Sequence, residues 1–232
     1  MFNATSISKA FSIVNIFETG RAIGNFAAVA VLDDGAGVSY GVGQFTHRSG
    51  SLAAVVEKSL ASGLQVGRGI FEERIAILNR RDSKAIESLA ADETFKKALA
   101  AAAATREMRQ AQSSVTLEKY LEPAIAICER QGFKLPLSLA VVFDSTTHGS
   151  CQKIADRVRT RSGEKSWVTE YVILRHRWLS SIPRLKKTNY RTRFFLEQIA
   201  AGNWDLDLPI RVNGTQLTAE SIEKLEQNIP DT

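Results

Sequence analysis

Two short stretches of this 232-residue chain carry acids where acids can do chemistry. They are Phe17-Glu18-Thr19-Gly20 and Asp33-Asp34-Gly35-Ala36-Gly37-Val38-Ser39. Glu18 follows Ile16 and Phe17, so an apolar setting that raises its pKa by desolvation is expected. The Asp pair enters a glycine-rich turn open to water, which keeps at least one of the two ionised. One neutral carboxylic acid and one carboxylate are what glycosidic hydrolysis needs: the first protonates the leaving oxygen, the second activates a water or stabilises the oxocarbenium-like transition state. Taken alone, two acids about fifteen residues apart are equally what a plain Asp-Gly hairpin and a solvated Glu present.

The elements that must position these acids can be read from periodicity. Residues 5–17 have helical spacing, with Ile7, Phe11, Val14 and Phe17 on one face and Thr5 or Ser6 as N-cap. This helix should stop near Gly20, leaving Glu18 at its C-terminal end, where the helix dipole disfavours a carboxylate and favours a protonated acid. Phe26–Leu32 reads as a strand, residues 33–37 as a turn and Val38–Phe45 as the returning strand, a β-hairpin region over about 26–46. Helices are expected over 52–64, 69–80, 83–112 and 117–131, the third a central helix with the alanine-rich stretch 98–104, the last closed by Gly132. Pro136–His148 is dense in apolar residues and should be buried. Helices over 166–181 and 191–201, an extended segment over 205–213 and a terminal helix over 219–227 complete the outline. The expected fold is α+β, mainly α. It would be one catalytic domain over 1–232, with two lobes and a cleft between the helical body and the hairpin.

Composition narrows the classes. The chain is 44% hydrophobic and 24% charged with 5 prolines, ordinary for a globular protein and unlike disordered or fibrous sequence. No apolar run approaches the roughly 18 residues of a membrane span. The first residues lack a basic segment followed by an apolar one, so no signal peptide is recognised. The expectation is synthesis in the cytoplasm and action on the cell wall or outside the cell. Cys128 and Cys151 have no metal-like spacing and read as packed, reduced thiols. The histidines, His47, His148 and His176, share no ligand spacing, and no dinucleotide or phosphate-loop fingerprint is present. Neither metal nor cofactor is expected. The net charge of +5 and the basic stretch 153–193, with Trp167 and Trp178, favour an anionic polymer as partner. Cell wall is preferred over nucleic acid, and a monomer is expected.

A resemblance then organises these residues. Asp34-Gly35-Ala36-Gly37-Val38-Ser39-Tyr40-Gly41-Val42-Gly43-Gln44-Phe45-Thr46, after a helix ending in Phe17-Glu18, is similar to the catalytic signature of the family 46 glycoside hydrolases, the chitosanases. Val142-Phe143-Asp144-Ser145-Thr146-Thr147-His148-Gly149 resembles that family's buried Asp-bearing helix. Arg193-Phe194-Phe195-Leu196, then Ala201-Gly202-Asn203-Trp204-Asp205-Leu206, resembles its C-terminal element. The three patches lie in the family's order. The hairpin also resembles phage-type lysozymes, in whose register Asp33 is the catalytic Asp and Ser39 follows six residues on. In the chitosanase register it is Asp34, with Ser39 five residues on. The ungapped match through Thr46 favours Asp34.

The resemblance implies Glu18 as general acid, Asp34 as base for an inverting attack by water, and Ser39 as a hydroxyl holding that water. It implies that Asp144 and an Arg on the 171–178 helix, Arg175, form a buried charge relay behind Glu18. Asp33 is a supporting acid, and Tyr40, Gln44, Thr46 and His47 are placed as substrate contacts. Ala36 departs from the family, which carries Arg there, and the Glu18-to-Asp34 spacing is slightly short. With the basic charge, these departures move the expected substrate towards peptidoglycan, as in a lytic muramidase. Chitosan is the alternative, and a non-catalytic basic binding module the second.

Overall fold

The computed structural model describes residues 2–160 and 162–227. In chain order it runs through α1 (Ala4–Thr19), the strands β1 (Val29–Leu32), β2 (Gly37–Tyr40) and β3 (Phe45–Thr46), and α2 (Ser51–Ala61). Then come α3 (Arg68–Leu78), α4 (Ser83–Ala91), α5 (Glu93–Ala102) and α6 (Arg106–Thr116), a π-helical turn (Leu117–Leu121), α7 (Glu122–Arg130) and α8 (Pro136–His148). The chain closes through α9 (Cys151–Ala155), α10 (Glu164–Ser181), a 3₁₀ turn (Lys186–Thr188), α11 (Tyr190–Ala200), β4 (Ile210–Val212), β5 (Thr215–Leu217) and α12 (Ala219–Glu226). The fold is mainly helical with two small antiparallel sheets, as the α+β, mainly α expectation has it. Two compact units are formed, one from Met1–Ile23 with Glu118–Glu226, the other built on Gly24–Leu117.

In the first unit α8 is the buried axis. Every residue from Leu137 to Ser145 is buried, so the helix is apolar all round, the pattern of a core helix. Pro136 at its start costs no hydrogen bond, because the first N–H groups of a helix are unpaired anyway. α1 packs along it, with Phe11 and Phe143 stacked at 6.4 Å between ring centroids. The N-cap of α1 is Asn3, whose side chain accepts the Ser6 N–H at 2.8 Å. Thr5 and Ser6, the expected caps, therefore lie inside the helix. Gly20 ends α1 in the left-handed conformation, where glycine carries no side-chain penalty.

In the second unit β1 and β2 form the expected hairpin, pairing Val29 with Tyr40 and Leu32 with Gly37. β3 adds through Ser39 opposite Thr46. The first strand begins at Val29 rather than Phe26. The expected single helix over 83–112 is three. Asp92 and Thr105 each accept the backbone N–H three residues on, from Phe95 and Met108, and so start new helices. Alanine propensity loses to these caps, because a side chain that satisfies an orphan N–H stabilises a helix start by about 1 kcal/mol. α9 was not foreseen, and the extended segment after 205 becomes the β4–β5 hairpin.

Two hairpin glycines are required by packing as well as by backbone. A Cβ on Gly37 (φ +77°) would meet the Ile86 side chain at 2.7 Å, and one on Gly41 (φ +69°) the Gln112 amide at 1.9 Å. Gln112 is fully buried. It accepts the Val42 N–H at 3.1 Å and donates to the Phe26 carbonyl at 3.0 Å, which clamps both ends of the hairpin to α6.

Candidate active site

Glu18 stands in the last turn of α1. Its neighbour Phe17 is buried against Tyr190, Phe194 and Phe195, each ring 5.7 Å away in an edge-on arrangement. This aromatic cluster fixes the end of α1 against α11. Glu18 itself does not share that burial: its side chain is 41% exposed, and its Oε1 accepts from Arg191 Nη2 at 2.7 Å. The apolar setting expected from Ile16-Phe17 is thus corrected. Helical geometry points Glu18 away from the face that its predecessors bury.

Behind Glu18 lies a buried charge array. Asp144 is fully buried on α8 and takes one guanidinium on each carboxylate oxygen. Arg175 of α10 donates to Oδ2, and Arg191 of α11 donates to Oδ1 at 2.7 Å. Arg191 therefore bridges Asp144 and Glu18. It also lies over the Phe17 ring at 5.4 Å, and the Tyr190 hydroxyl holds the Phe17 carbonyl at 2.8 Å. Burial pushes the Asp144 carboxyl up, but Arg175 and Arg191 outweigh it and hold its pKa below the usual carboxylate range. A buried carboxylate between two guanidiniums is tolerable only as a set, because any unpaired member would be a bare charge in a low-dielectric interior. His148, half-buried, faces the array with Nδ1 3.4 Å from Arg175 Nη2. Burial first, then Arg191 and Arg175, lower its pKa from 6.5, so the neutral imidazole with Nδ1 as acceptor is favoured.

The Asp144–Arg175 pairing follows the expectation. Arg191 was missed as a member: it was one cation in a basic stretch. The available signal was its place in a helix otherwise rich in buried aromatics, where a long cation needs a buried acid.

In the second unit, Asp33 and Asp34 are exposed in the turn after β1. Asp34 Oδ1 accepts the Ala36 N–H at 2.9 Å, an Asx turn that orients its carboxylate. Arg48, also missed, donates from Nε to the Gly35 carbonyl at 2.6 Å, so a guanidinium covers the turn although Ala36 supplies none. Ser39 is on β2 and 7% exposed. Gln44 is exposed, with φ +46°, and the Thr46 hydroxyl donates to Ser49 Oγ at 2.9 Å.

Two expected substrate contacts are corrected. Tyr40 is a core residue, 1% exposed, donating its hydroxyl to the Leu99 carbonyl at 2.8 Å; burial raises its pKa. His47 is fully buried, its Nε2 2.7 Å from the Arg80 carbonyl. Strand alternation explains the first: the period-2 pattern sends Tyr40 and Val38 into the core and leaves Ser39 on the other face. Trp204 is buried, with Lys165 5.4 Å from its ring. Among the described residues, no group of three or more His, Cys, Asp or Glu is arranged to hold a metal ion. Cys128 and Cys151 are free thiols.

Residues 12–210 match the model of glycosyl hydrolase family 46. A chitosanase of Bacillus subtilis (strain 168) is 24% identical over 237 residues, spanning 90% of this chain and 82% of that protein. The family 46 chitosanase of Gynuella sunshinyii, solved with chitotetraose, has TM-score 0.72 at 22% identity, covering 94% of this chain and 99% of that one. The native chitosanase of Bacillus subtilis MY002 has TM-score 0.73 at 22% identity, covering 94% and 100%. Those structures share the fold. With most of its length inside the family model, this chain belongs to glycosyl hydrolase family 46 and is a glycoside hydrolase.

Proposed function

We propose that this glycoside hydrolase is an endo-acting chitosanase, cutting β-1,4 bonds between glucosamine units with Glu18 as acid and Asp34 as base. The observation that carries the acid is Arg191, which ties Glu18 Oε1 to the buried Asp144–Arg175 pair and holds it in one orientation. A general acid must present its proton within hydrogen-bond reach of the leaving oxygen, and a tethered carboxyl does so without an ordering cost at the moment of reaction. Asp34, oriented by its Asx turn, takes a proton from water as that oxygen bonds to the anomeric carbon. The glycosidic C–O bond breaks and the Glu18 proton goes to the leaving oxygen. Ser39 is assigned to hold the attacking water.

Chitosan is preferred to peptidoglycan because the relatives above are chitosanases and because Asp33, Asp34 and Glu18 are exposed acids. The net charge of +5 is a weaker guide. Charges spread over the surface are screened beyond about 8 Å at physiological salt, whereas these carboxylates would meet an ammonium sugar directly. Such a polymer places the reaction outside the cytoplasm, and we assign both units to one catalytic domain. The test is reducing-end release from chitosan and from peptidoglycan by wild type and Glu18→Gln. Release from chitosan by wild type alone is expected. Release from peptidoglycan only would overturn the substrate, and equal activity of the variant would overturn the acid. An inverted product anomer in the first seconds of reaction, read by proton NMR, is expected for a water-activating Asp34.

A further inference from the structure

We infer that a groove at the start of α10 is a second sugar-binding site, which holds a glucosamine unit of the polymer away from the catalytic residues. The inference rests on the chitosan reading and adds to it a site that does no chemistry.

The groove has a volume of about 330 Å³ and is lined by Trp167, Gln131, Gln152, Asp156 and Arg159, with Val158 in its apolar floor. Trp167 is braced rather than free. It lies parallel to Tyr171, 5.1 Å between centroids and 13° between planes, and tilted against Phe133 at 5.1 Å. Its ring is thus presented in a fixed orientation as an aromatic wall.

The remaining lining matches the needs of a pyranose. One face of such a ring is C–H and suits an indole, while its hydroxyls need both donors and acceptors. Gln131 and Gln152 offer both, Arg159 only donates, and Asp156 only accepts. Gln152 Nε2 donates to Asp156 Oδ1 at 2.7 Å, which orients the carboxylate and leaves its other oxygen for a ligand. Glu170 accepts the backbone N–H groups of Arg159 and Thr160 at 3.1 and 2.8 Å, which fixes the segment that carries Arg159. Lys153, on the same short helix as Gln152, is drawn off over the Trp178 ring at 5.3 Å. Asp156 and Arg159 balance in formal charge, and the oriented Asp156 carboxylate is the acceptor that an ammonium-bearing sugar would meet.

The groove is separate from the charge array. The Glu164 carboxylate accepts the backbone N–H groups of Lys134 and Leu135 at 3.0 and 2.8 Å, so α8 and α10 begin side by side. Trp167 is in the first turn of α10, and Arg175 lies eight residues further, about 12 Å along the axis at 1.5 Å per residue. Neither Glu18, Asp144, Arg175 nor Arg191 lines the groove. A polymer held at a second point is presented to the catalytic residues at a raised effective concentration, while an oligomer too short to reach both gains nothing.

The experiment follows the Trp167 indole N–H by NMR in Glu18→Gln protein, so that no ligand is cut, with Trp167→Phe supplying the assignment. Added glucosamine trisaccharide should give a saturable shift that is weaker in Asp156→Asn and weaker with the N-acetylated trisaccharide. An unmoved indole overturns the site, and equal shifts with both trisaccharides overturn the ammonium assignment. In the active enzyme, Trp167→Ala should cut short oligomers at the wild-type rate, which certifies its fold, while its KM on long polymer rises about threefold or more. An unchanged polymer KM overturns the role in substrate capture. Should wild type cut no glucosamine polymer while the indole still shifts, the site stands and the chitosanase reading falls.

Discussion

At the scale of single residues, the array around Asp144 makes the sharpest predictions. Glu18→Gln should lower kcat by roughly 10²–10⁴-fold, the usual loss of a general acid, with the melting temperature nearly unchanged because the side chain is exposed. Asp144→Asn is the opposite case. It leaves Arg175 a buried cation without a counter-charge and Arg191 with Glu18 alone, and should cost about 3–5 kcal/mol, measured by urea unfolding. The same residue sets acid sensitivity. Arg175 and Arg191 hold its carboxyl below the usual value against the pull of burial. The stability it contributes is therefore complete above about pH 4 and is lost as pH falls through its lower folded value. His148 acts nearer neutrality. Burial, then Arg191 and Arg175, lower its pKa from 6.5, so below pH 6.5 the unfolded chain takes up a proton that the folded one resists. Stability should fall with pH there, and His148→Gln should flatten that slope.

At the scale of elements, the hairpin depends on α6. Gln112 reaches both the Phe26 carbonyl and the Val42 N–H from a fully buried position. Gln112→Ala strands both backbone groups and should destabilise by about 1–3 kcal/mol. Gly41→Ala would bring its Cβ to 1.9 Å from the same amide at φ +69°, so it should cost at least as much and reduce activity by disturbing the sheet whose other turn carries Asp34. Circular dichroism melts and activity on chitosan, measured together, check both. Replacing an exposed turn residue such as Asp33 by Asn should leave the melt unchanged, so a loss of activity there would bear on the base and not on the fold.

At the scale of the whole molecule, charge is the feature to explain. With chitosan as the proposed substrate, an enzyme of net charge +5 and pI about 9.3 would meet long-range repulsion at low salt. Raising ionic strength from about 0.01 to 0.15 M shrinks the Debye length from about 30 to about 8 Å. The prediction is that kcat/KM on chitosan rises over this range, while the rate on N-acetylated, uncharged chains stays flat. A fall with salt on chitosan would mean that local acids, not net charge, govern encounter.

Helix existence, the hairpin and the order of the family's patches were legible in the sequence, because each rests on local periodicity, turn glycines or contiguous motif residues. Pro136–His148 was foreseen to the residue, since an apolar run opened by proline and closed by His-Gly leaves little choice. Where helices break was less legible: Asp92 and Thr105 outcompete an alanine-rich stretch only because their side chains reach the N–H groups that follow. Burial was the least legible. Tyr40 and His47 carry polar tips that suit a substrate surface, and only the packed sheet shows those tips spent on the Leu99 and Arg80 carbonyls. The sequence by itself determined the reaction class, not through its two acids alone but through three patches that resemble one family in the family's order. The tertiary structure alone decided that Arg191, 173 residues from Glu18 in the chain, holds that acid to Asp144. A charge pairing over that separation leaves no local pattern, because it is set by how helices pack and not by how any one of them forms.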